Sequence, residues 1–382
     1  MRTVNNRGPG SRCFVVRSED AASPRSSVVR TLTLGMPRLR AALDDDVAAA
    51  VGAPLVDRFG RVHRDLRISL TDRCSLRCTY CMPEQGNVWL PNDRILTIDE
   101  IERVARVAAA DGITTFRLTG GEPLLRRDIV DVVRRLAAIE GPAGPVELAM
   151  TTNGIRLPEV LPDLVEAGLT RLNISIDTIR RDRFADLTRR DRLDDVLAGI
   201  AAAAASGLRP LKLNAVAMRG VNDDELVDLV AFAMAHDAQL RFIEQMPLDA
   251  GHTWDRARMV TRDEILAALR ERWTLTEVPG RGGAPAERWT IDGGPHTVGV
   301  IASVTAPFCG DCDRLRLTAD GQLRNCLFST SEFDLVPVLR GGGDDEDIDR
   351  MLRRCVARKL PGHAIDDPGF LQPARGMNAI GG

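Results

Sequence analysis

The chain has 382 residues, which is enough for one large domain and a smaller one, and its 27% charged and 44% hydrophobic residues are typical of globular proteins. Its net charge of −3 argues against a general binder of nucleic acid or of anionic membranes. Any phosphate-binding site must therefore be a local pocket.

The first 40 residues contain eight arginines and only two acids, a composition that faintly resembles a transit peptide. We expect residues 1–54 to be a disordered extension, or a stretch upstream of a true start such as Met36. The N-terminus lacks the uninterrupted apolar core of a signal peptide, and no apolar run reaches the roughly 18 residues of a membrane span. The sequence therefore predicts a cytoplasmic protein.

From residue 66 onward, apolar strand-like runs alternate with amphipathic helical stretches. The strand-like runs are predicted at about 66–70, 114–118, 146–151, 170–176, 211–217 and 239–245, and the helices include 98–110, 128–139, 193–204 and 225–235. Thr97 with Glu100, and Thr261 with Glu264, have the spacing of capping boxes at helix starts. Six strand–helix units in series predict an α/β fold with a parallel sheet.

The polar motifs of this region follow the strand-like runs, at their carboxyl ends. A cysteine loop follows the first run, TGGEP the second, TTNG the third, and SID ends the fourth. Functional residues from the carboxyl ends of several strands favour a barrel over a doubly wound sheet, whose site lies at one switch point. We predict a partial (β/α)6 TIM-like barrel over residues 55–250.

After residue 250 the pattern changes to short strand-like runs separated by a Gly/Pro-rich turn. We predict a smaller C-terminal α+β module over residues 251–382, with GGGDDED near residue 345 as an exposed acidic loop.

Six of the eight cysteines form two triplets, Cys74-x3-Cys78-x2-Cys81 and Cys309-x2-Cys312-x13-Cys326. Odd-numbered clusters in a chain without a secretory signal indicate metal ligation rather than disulfides. Three thiolates can bind three irons of a [4Fe–4S] cluster and leave the fourth iron open to a small molecule. A three-cysteine zinc site is the alternative.

The first triplet, together with GGEP after the next strand, resembles the radical S-adenosylmethionine (SAM) enzymes. The resemblance implies that the open iron of a [4Fe–4S] cluster at Cys74, Cys78 and Cys81 holds SAM. One electron cleaves it to methionine and a 5′-deoxyadenosyl radical that abstracts hydrogen from the substrate. The SAM-binding residues implied by the resemblance are Tyr80, Gly121, Ser175 and Met246.

The motifs LRISLTDRC, CMPE, RLTGGEPLLR, TTNG, FIEQM and FCGDCDRLRLTADGQLRNCLF narrow the resemblance, over about residues 55–330, to the GTP 3′,8-cyclase family of molybdopterin biosynthesis. It implies a second [4Fe–4S] cluster at Cys309, Cys312 and Cys326 that binds the guanine of GTP. The GTP-binding residues that it implies are Arg67, Arg117, Thr151, Lys212, Arg314 and Arg316. The Gly381-Gly382 tail is implied to enter the active site.

Composition adds an independent argument for some of these residues. Arginine has replaced lysine almost everywhere, and Lys212 and Lys359 are the only lysines. Tyr80 is the only tyrosine. Residues that persist against such a bias are expected to have a chemical role. A second cysteine triplet followed by Arg314 and Arg316 suits a nucleotide triphosphate, which needs several cationic donors.

The sequence therefore predicts a lyase that converts GTP to a 3′,8-cyclised dihydro-GTP, with two [4Fe–4S] clusters and SAM as cofactors. Its expected partners are GTP and an unidentified electron donor, with a homodimer suggested by the resemblance and no nucleic acid or membrane. One alternative is another radical SAM enzyme, such as a peptide-modifying one, with an auxiliary cluster. Another is a non-catalytic iron–sulfur or zinc scaffold, which would not need GGEP or the strand-end motifs.

Overall fold

The computed structural model describes residues 52–249 and 251–381. Its strands are β1 (Asp65–Ser69), β2 (Thr115–Thr119), β3 (Glu140–Gly141), β4 (Gly144–Pro145), β5 (Glu147–Thr152), β6 (Arg171–Ser175), β7 (Leu211–Ala217), β8 (Ala238–Glu244), β9 (Leu275–Val278), β10 (Glu287–Ile291), β11 (Thr297–Ile301), β12 (Arg314–Leu317), β13 (Gln322–Arg324) and β14 (Phe333–Asp334). Its helices are α1 (Ile98–Ala110), α2 (Ile129–Ala137), α3 (Leu157–Glu166), α4 (Arg181–Thr188), α5 (Leu193–Ala205), α6 (Leu226–Ala235), α7 (Arg262–Arg270), α8 (Val336–Arg340), α9 (Asp345–Ala357) and α10 (Met377–Ile380).

The six predicted strands are β1, β2, β5, β6, β7 and β8, and they lie side by side in that order. All five pairings between them are parallel. Each strand is followed by helical segments that cover one side of the sheet, as expected for strand–helix units in series. The prediction of a partial (β/α)6 barrel is confirmed. The predicted extension over residues 1–54 lies outside the described residues except for its last three.

Residues beyond 250 extend both edges of this same sheet. Strand β11 pairs in parallel with β8, and β12 pairs in parallel with β1. Antiparallel strands complete the two ends, with β10 and β9 beyond β11 and with β13 and β14 beyond β12. The second cysteine triplet, which flanks β12 and β13, is thereby placed beside the first barrel strand.

Alternation along each parallel strand separates a helix-facing side from an inner side. In β8, for example, Leu240 and Phe242 are fully buried in the hydrophobic core, whereas Arg241 and Ile243 line an interior cavity. The same parity places the polar residues of β1, β2, β6 and β7 on the inner side. The strand sequences are therefore apolar with a few polar residues, because one side of each strand faces the hydrophobic core and the other faces the cavity.

Helix starts follow local capping chemistry. The capping boxes predicted at Thr97 and Thr261 are both formed. The prediction of an acidic loop near residue 345 was wrong, because Asp344 caps α9 and the following acids occupy its first turn. Carboxylates there accept hydrogen bonds from free backbone N–H groups and interact favourably with the helix dipole. Within residues 52–249 and 251–381, every helix falls short of the length and apolar character that a membrane crossing requires.

Candidate active site

A cavity of about 270 Å³ lies on the inner side of the parallel strands and extends to residues at their carboxyl ends, such as Ser175 and Met246. Eleven of the residues predicted from sequence line it. They are Arg67, Tyr80, Arg117, Thr151, Ser175, Met246, Cys309, Cys312, Arg314, Arg316 and Cys326. Most of the predicted site residues, which come from segments more than 250 positions apart, are therefore brought to one cavity.

The first cysteine triplet occupies the loop that follows β1. Burial raises the pKa of Cys74 to about 11 and that of Cys81 to about 12, and it raises the pKa of Cys78 well above its usual value. Neighbouring carboxylates and the other two thiols act in the same direction. Without a metal these thiols stay protonated at neutral pH, so a metal that binds here must displace their protons.

The donor set fits a cluster better than a single ion. Among the described residues, no three Cys, His, Asp or Glu side chains surround one point closely enough to hold a metal ion. A zinc site would require three sulfurs at about 2.3 Å from such a point. In each triplet the thiols still interact electrostatically with one another. Three thiols within electrostatic reach of one another suit an iron–sulfur cluster that takes three protein ligands.

The GGEP loop is packed directly against the first cysteine loop. The backbone N–H of Gly121 donates to the Thr71 carbonyl at 2.8 Å, and that of Glu122 donates to the Arg73 carbonyl at 2.7 Å. A Cβ atom on Gly121 would overlap the Arg73 carbonyl oxygen. Glycine is therefore required at this position because two backbones approach closely. The SAM contact predicted for Gly121 stays a prediction, and Gly121 does not line the cavity.

Glu122 is a buried residue that connects two loops, and the sequence had not assigned it a role of its own. Its carboxylate accepts from Thr152 Oγ1 at 2.6 Å, from the Asn153 N–H at 2.7 Å and from the Leu124 N–H at 3.0 Å. It therefore joins the loops after β2 and β5. Asn153 in turn donates to Ser75 Oγ at 3.0 Å, next to Cys74.

Tyr80 is held by a second unassigned carboxylate. Its hydroxyl donates to Asp177 Oδ2 at 2.8 Å, and the Val216 N–H donates to Asp177 Oδ1 at 2.8 Å. Burial raises the pKa of Asp177 to about 6, although both hydrogen bonds oppose that rise. Asp177 lies two residues after Ser175 in the SID motif, and that polar strand-end position was the available signal.

Buried and half-buried cations lie close together in the other part of the cavity. Arg67 on β1 is in register with Arg117 on β2 and with Arg316 on β12. Burial lowers the pKa of Arg67 well below its usual value, and Arg316 lowers it further. Burial also lowers the pKa of Arg316 to about 10. Cations that lie close together with few carboxylates to balance their charge are expected where a polyanion binds.

Lys212 belongs to this cationic group although it does not line the cavity. It is buried on β7, in register with the cavity-lining Asn173. Burial lowers its pKa to about 7, with further lowering from Arg241, Arg171 and Arg117. Arg241 itself lines the cavity and was missed by sequence reasoning, although a charge inside the apolar strand β8 was a signal of function.

All three thiols of the second triplet line the cavity. Burial raises the pKa of Cys309 to about 11, and its two partner thiols act in the same direction. Burial has the same effect on Cys312, but the nearby cations Lys359 and Arg314 outweigh it, so that the pKa of Cys312 is lowered. The Cys309 carbonyl accepts from Arg61 Nη1 at 2.6 Å, which fixes the loop.

The C-terminal segment returns to the site. Gly381 has a φ of +68°, and its carbonyl oxygen accepts a hydrogen bond from Arg316. A Cβ atom on Gly381 would lie 2.5 Å from both Ser69 Oγ and Thr119 Oγ1, two buried hydroxyls that lack a hydrogen-bond partner within the described structure. Gly382 lies outside the described residues.

Comparisons with known proteins agree with this geometry. Residues 68–233 match the model of the Radical SAM superfamily, and residues 238–365 match that of Molybdenum Cofactor Synthesis C. A GTP 3′,8-cyclase of Streptomyces coelicolor is 56% identical over 331 residues, which cover 86% of this chain and 96% of that protein. A protein of Mycobacterium tuberculosis named GTP 3′,8-cyclase 2 is 51% identical over 362 residues, 92% of this chain and all of that protein.

Among solved structures, Streptococcus suis SuiB matches with a TM-score of 0.53 at 13% identity, covering 75% of this chain and 67% of SuiB. At that identity the match shows the fold alone. The sequence identity to the cyclases, over most of both chains, shows more. The chain belongs to the GTP 3′,8-cyclase family of the radical SAM superfamily.

Proposed function

We propose that this protein is a GTP 3′,8-cyclase, which converts GTP to (8S)-3′,8-cyclo-7,8-dihydroguanosine 5′-triphosphate in molybdenum cofactor biosynthesis. The observation that carries the proposal is the single cavity at the strand ends, which is lined by Tyr80 of the first cysteine loop, by all three second-triplet thiols and by several buried arginines. A radical-forming centre, a nucleobase site and a triphosphate site are all needed for this reaction, and the cavity has candidates for each.

The first triplet would hold the cluster that binds SAM. When bound, a [4Fe–4S] cluster with one open iron supplies the electron that cleaves SAM to methionine and a 5′-deoxyadenosyl radical, which takes the 3′ hydrogen of GTP. This chain's part is to position the reactants. Gly121 keeps the GGEP loop against the cysteine loop, and Tyr80, Ser175 and Met246 line the cavity beside it. Positioning of this kind can account for much of a rate enhancement.

The second triplet would hold the cluster that receives guanine. Its three thiols line the cavity, so a metal position without a protein ligand would face the substrate rather than bulk solvent. Apolar side chains such as Phe308, Leu327 and Phe328 line the same part of the cavity. They would exclude water from a radical reaction.

The buried cations would bind the triphosphate. We assign contacts with GTP to Arg67, Arg117, Thr151, Lys212, Arg314 and Arg316, and we add Arg241. The cations of this set would hold the phosphates. Guanidinium groups form paired hydrogen bonds with phosphate oxygens. The carbonyl of Gly381, held by Arg316, would close the site at its C-terminal side.

The remaining partners are an electron donor, which stays unidentified, and a second copy of the chain in a homodimer. Free thiols persist in a reducing compartment, which favours a cytoplasmic location.

The test is anaerobic reconstitution with iron and sulfide, followed by reductant, SAM and GTP. We expect about eight irons per chain, 5′-deoxyadenosine and a cyclised nucleotide. Loaded protein that forms neither product would contradict the proposal. A peptide-modifying enzyme would cleave SAM but leave GTP unchanged.

Two sets of variants separate the proposed roles. Cys326→Ala should still cleave SAM and should lose cyclisation, and retained cyclisation would remove the second triplet from the substrate site. Arg314→Ala and Arg316→Ala should weaken GTP binding, with the exposed Arg127→Ala as the matched control. Affinities equal to that of the Arg127→Ala variant would make both arginines structural.

A further inference from the structure

Lys359, one of the two lysines, follows helix α9 and has only 3% of its surface exposed. Its ammonium group donates to the Arg314 carbonyl oxygen at 2.6 Å and to Cys312 Sγ at 3.5 Å. Among the ion pairs of the described residues, none joins Lys359 to a carboxylate. A buried cation is costly unless a counter-charge compensates it. Of its two contacts, only the Cys312 sulfur can become an anion.

No nearby carboxylate of the described residues forms an ion pair with this charge. Asp313 interacts with Lys359 electrostatically, but Arg314 acts more strongly on that carboxylate. Asp57 is engaged by Arg61, whose Nε lies 2.6 Å from its Oδ2. His63 lies 3.3 Å from the same carboxylate oxygen, and burial lowers its pKa to about 4, so it is uncharged at neutral pH. The positive charge of Lys359 therefore faces the second triplet.

The surroundings of the first triplet are different. The side-chain donor at Cys74 Sγ is the neutral amide of Asn153, at 3.9 Å. The carboxylates of Glu122 and Asp177 act electrostatically on the first triplet, where Arg77 partly opposes Glu122 at Cys74. At Cys312 of the second triplet the cations Lys359 and Arg314 act together. Net charge and hydrogen bonds to cluster sulfurs set the reduction potential of an iron–sulfur cluster. A positive donor stabilises the reduced form, which carries one more negative charge.

We propose that Lys359 is a positioning residue for the second cluster, which donates a charged hydrogen bond to Cys312 and raises the reduction potential of that cluster. This rests on the proposed function, which places a [4Fe–4S] cluster at Cys309, Cys312 and Cys326. Lys359 acts through a ligand and not on the substrate. The sequence composition predicts a chemical role for each of the two lysines, and this proposal supplies one for Lys359.

The experiment uses the full chain with Cys74, Cys78 and Cys81 all replaced by Ala, so that bound iron belongs to the second triplet. The midpoint potential is measured by a redox titration followed by electron paramagnetic resonance, with dithionite as the electron source. Lys359→Met should lower the potential by the equivalent of a tenfold change in the one-electron equilibrium constant, about 59 mV. Lys359→Arg, which keeps the charge and the donor, should stay close to the parent.

A buried arginine on helix α9, which precedes Lys359, provides the control for a structural role. Arg353 pairs with Asp349 and Asp111 and makes no contact with the triplet among the interactions of the described residues. In the same background, Arg353→Met should lower the melting temperature and leave the potential unchanged.

An unchanged midpoint potential in Lys359→Met would overturn this inference alone. The role of Lys359 would then be structural, through its hydrogen bond to the Arg314 carbonyl. If Lys359→Met fails to bind four irons, Lys359→Gln makes the same comparison, because it keeps a neutral donor without the charge. A parent chain that binds no iron at the second triplet would overturn the second-cluster proposal together with this one.

Discussion

Tyr80 donates its hydroxyl hydrogen to Asp177 Oδ2 at 2.8 Å, and this bond ties the first cysteine loop to the segment that follows β6. Asp177 is buried and Tyr80 is half-buried, and the pKa of Tyr80 is raised well above its usual value by burial and then by Asp177. The tyrosine is therefore a neutral donor that is fixed beside the proposed SAM site.

Removing either partner should loosen this connection. Tyr80→Phe leaves a buried carboxylate oxygen unpaired and should lower the free energy of unfolding by about 1–3 kcal/mol and weaken SAM binding. Asp177→Asn should be milder, because the tyrosine oxygen can accept from the new amide. Urea denaturation and SAM titration measure the two effects. If Asp177→Ala binds SAM as tightly as the wild type, the pair serves only the fold.

The lowered pKa of Lys212 predicts that GTP binding is accompanied by proton uptake. Its pKa is lowered to about 7, by burial first and then by Arg241, Arg171 and Arg117. At pH 8 the amine is therefore mostly neutral, and an approaching triphosphate should raise its pKa and draw a proton from solution. Calorimetric titration in buffers of different ionisation enthalpy should give close to one proton more for the wild type than for Lys212→Met, about 0.9. Equal uptake by both proteins would show that Lys212 does not sense the phosphates.

Gly381→Ala tests the C-terminal segment. The added methyl group would lie 2.5 Å from Ser69 Oγ and Thr119 Oγ1, at a backbone φ of +68° that favours glycine. We expect the segment to leave its place and cyclisation to fall by tenfold or more, on the order of 1.4 kcal/mol, with little change in melting temperature.

The matched control is Gly362→Ala, where nothing lies within 4 Å of the added atom. Product formation by the two variants is compared at saturating GTP. Equal activity in both would mean that the position of Gly381 has no part in the reaction.

His63 predicts a loss of stability in mild acid. It is fully buried, its Nδ1 has no hydrogen-bond partner within the described structure, and burial followed by the charge of Lys359 lowers its pKa from 6.5 to about 4. The unfolded chain therefore binds more protons between pH 6.5 and pH 4, so the free energy of unfolding falls as pH falls through that window. The full effect is roughly 3 kcal/mol.

Urea denaturation of the apoprotein between pH 4.5 and pH 7.5 measures this slope. His63→Gln should flatten it, and His252→Gln, which removes an exposed histidine, should not. Parallel curves for the wild type and His63→Gln would refute the assignment.

Several features could be predicted because they depend on residues close together in the chain. Three cysteines within eight positions, two glycines before Glu122, and a threonine three positions before a glutamate each specify a local backbone and its hydrogen bonds. The acidic stretch near residue 345 was misread because aspartate is favoured both in loops and at helix starts. The buried residues Ile348 and Leu352, four positions apart in α9, were the signal that distinguishes the two.

The sequence by itself determined the six strand–helix units, the two thiol triplets and the family to which they point. Only the tertiary structure decided which distant residues meet. The register of Arg67 with Arg316, the bond from Tyr80 to Asp177 and the approach of Lys359 to Cys312 span 249, 97 and 47 positions. Periodicity specifies which side of a strand is buried, but the choice of neighbouring strand depends on packing of the whole sheet. That choice placed β12 beside β1 and thereby brought the second triplet to the cavity that Tyr80 of the first cysteine loop also lines.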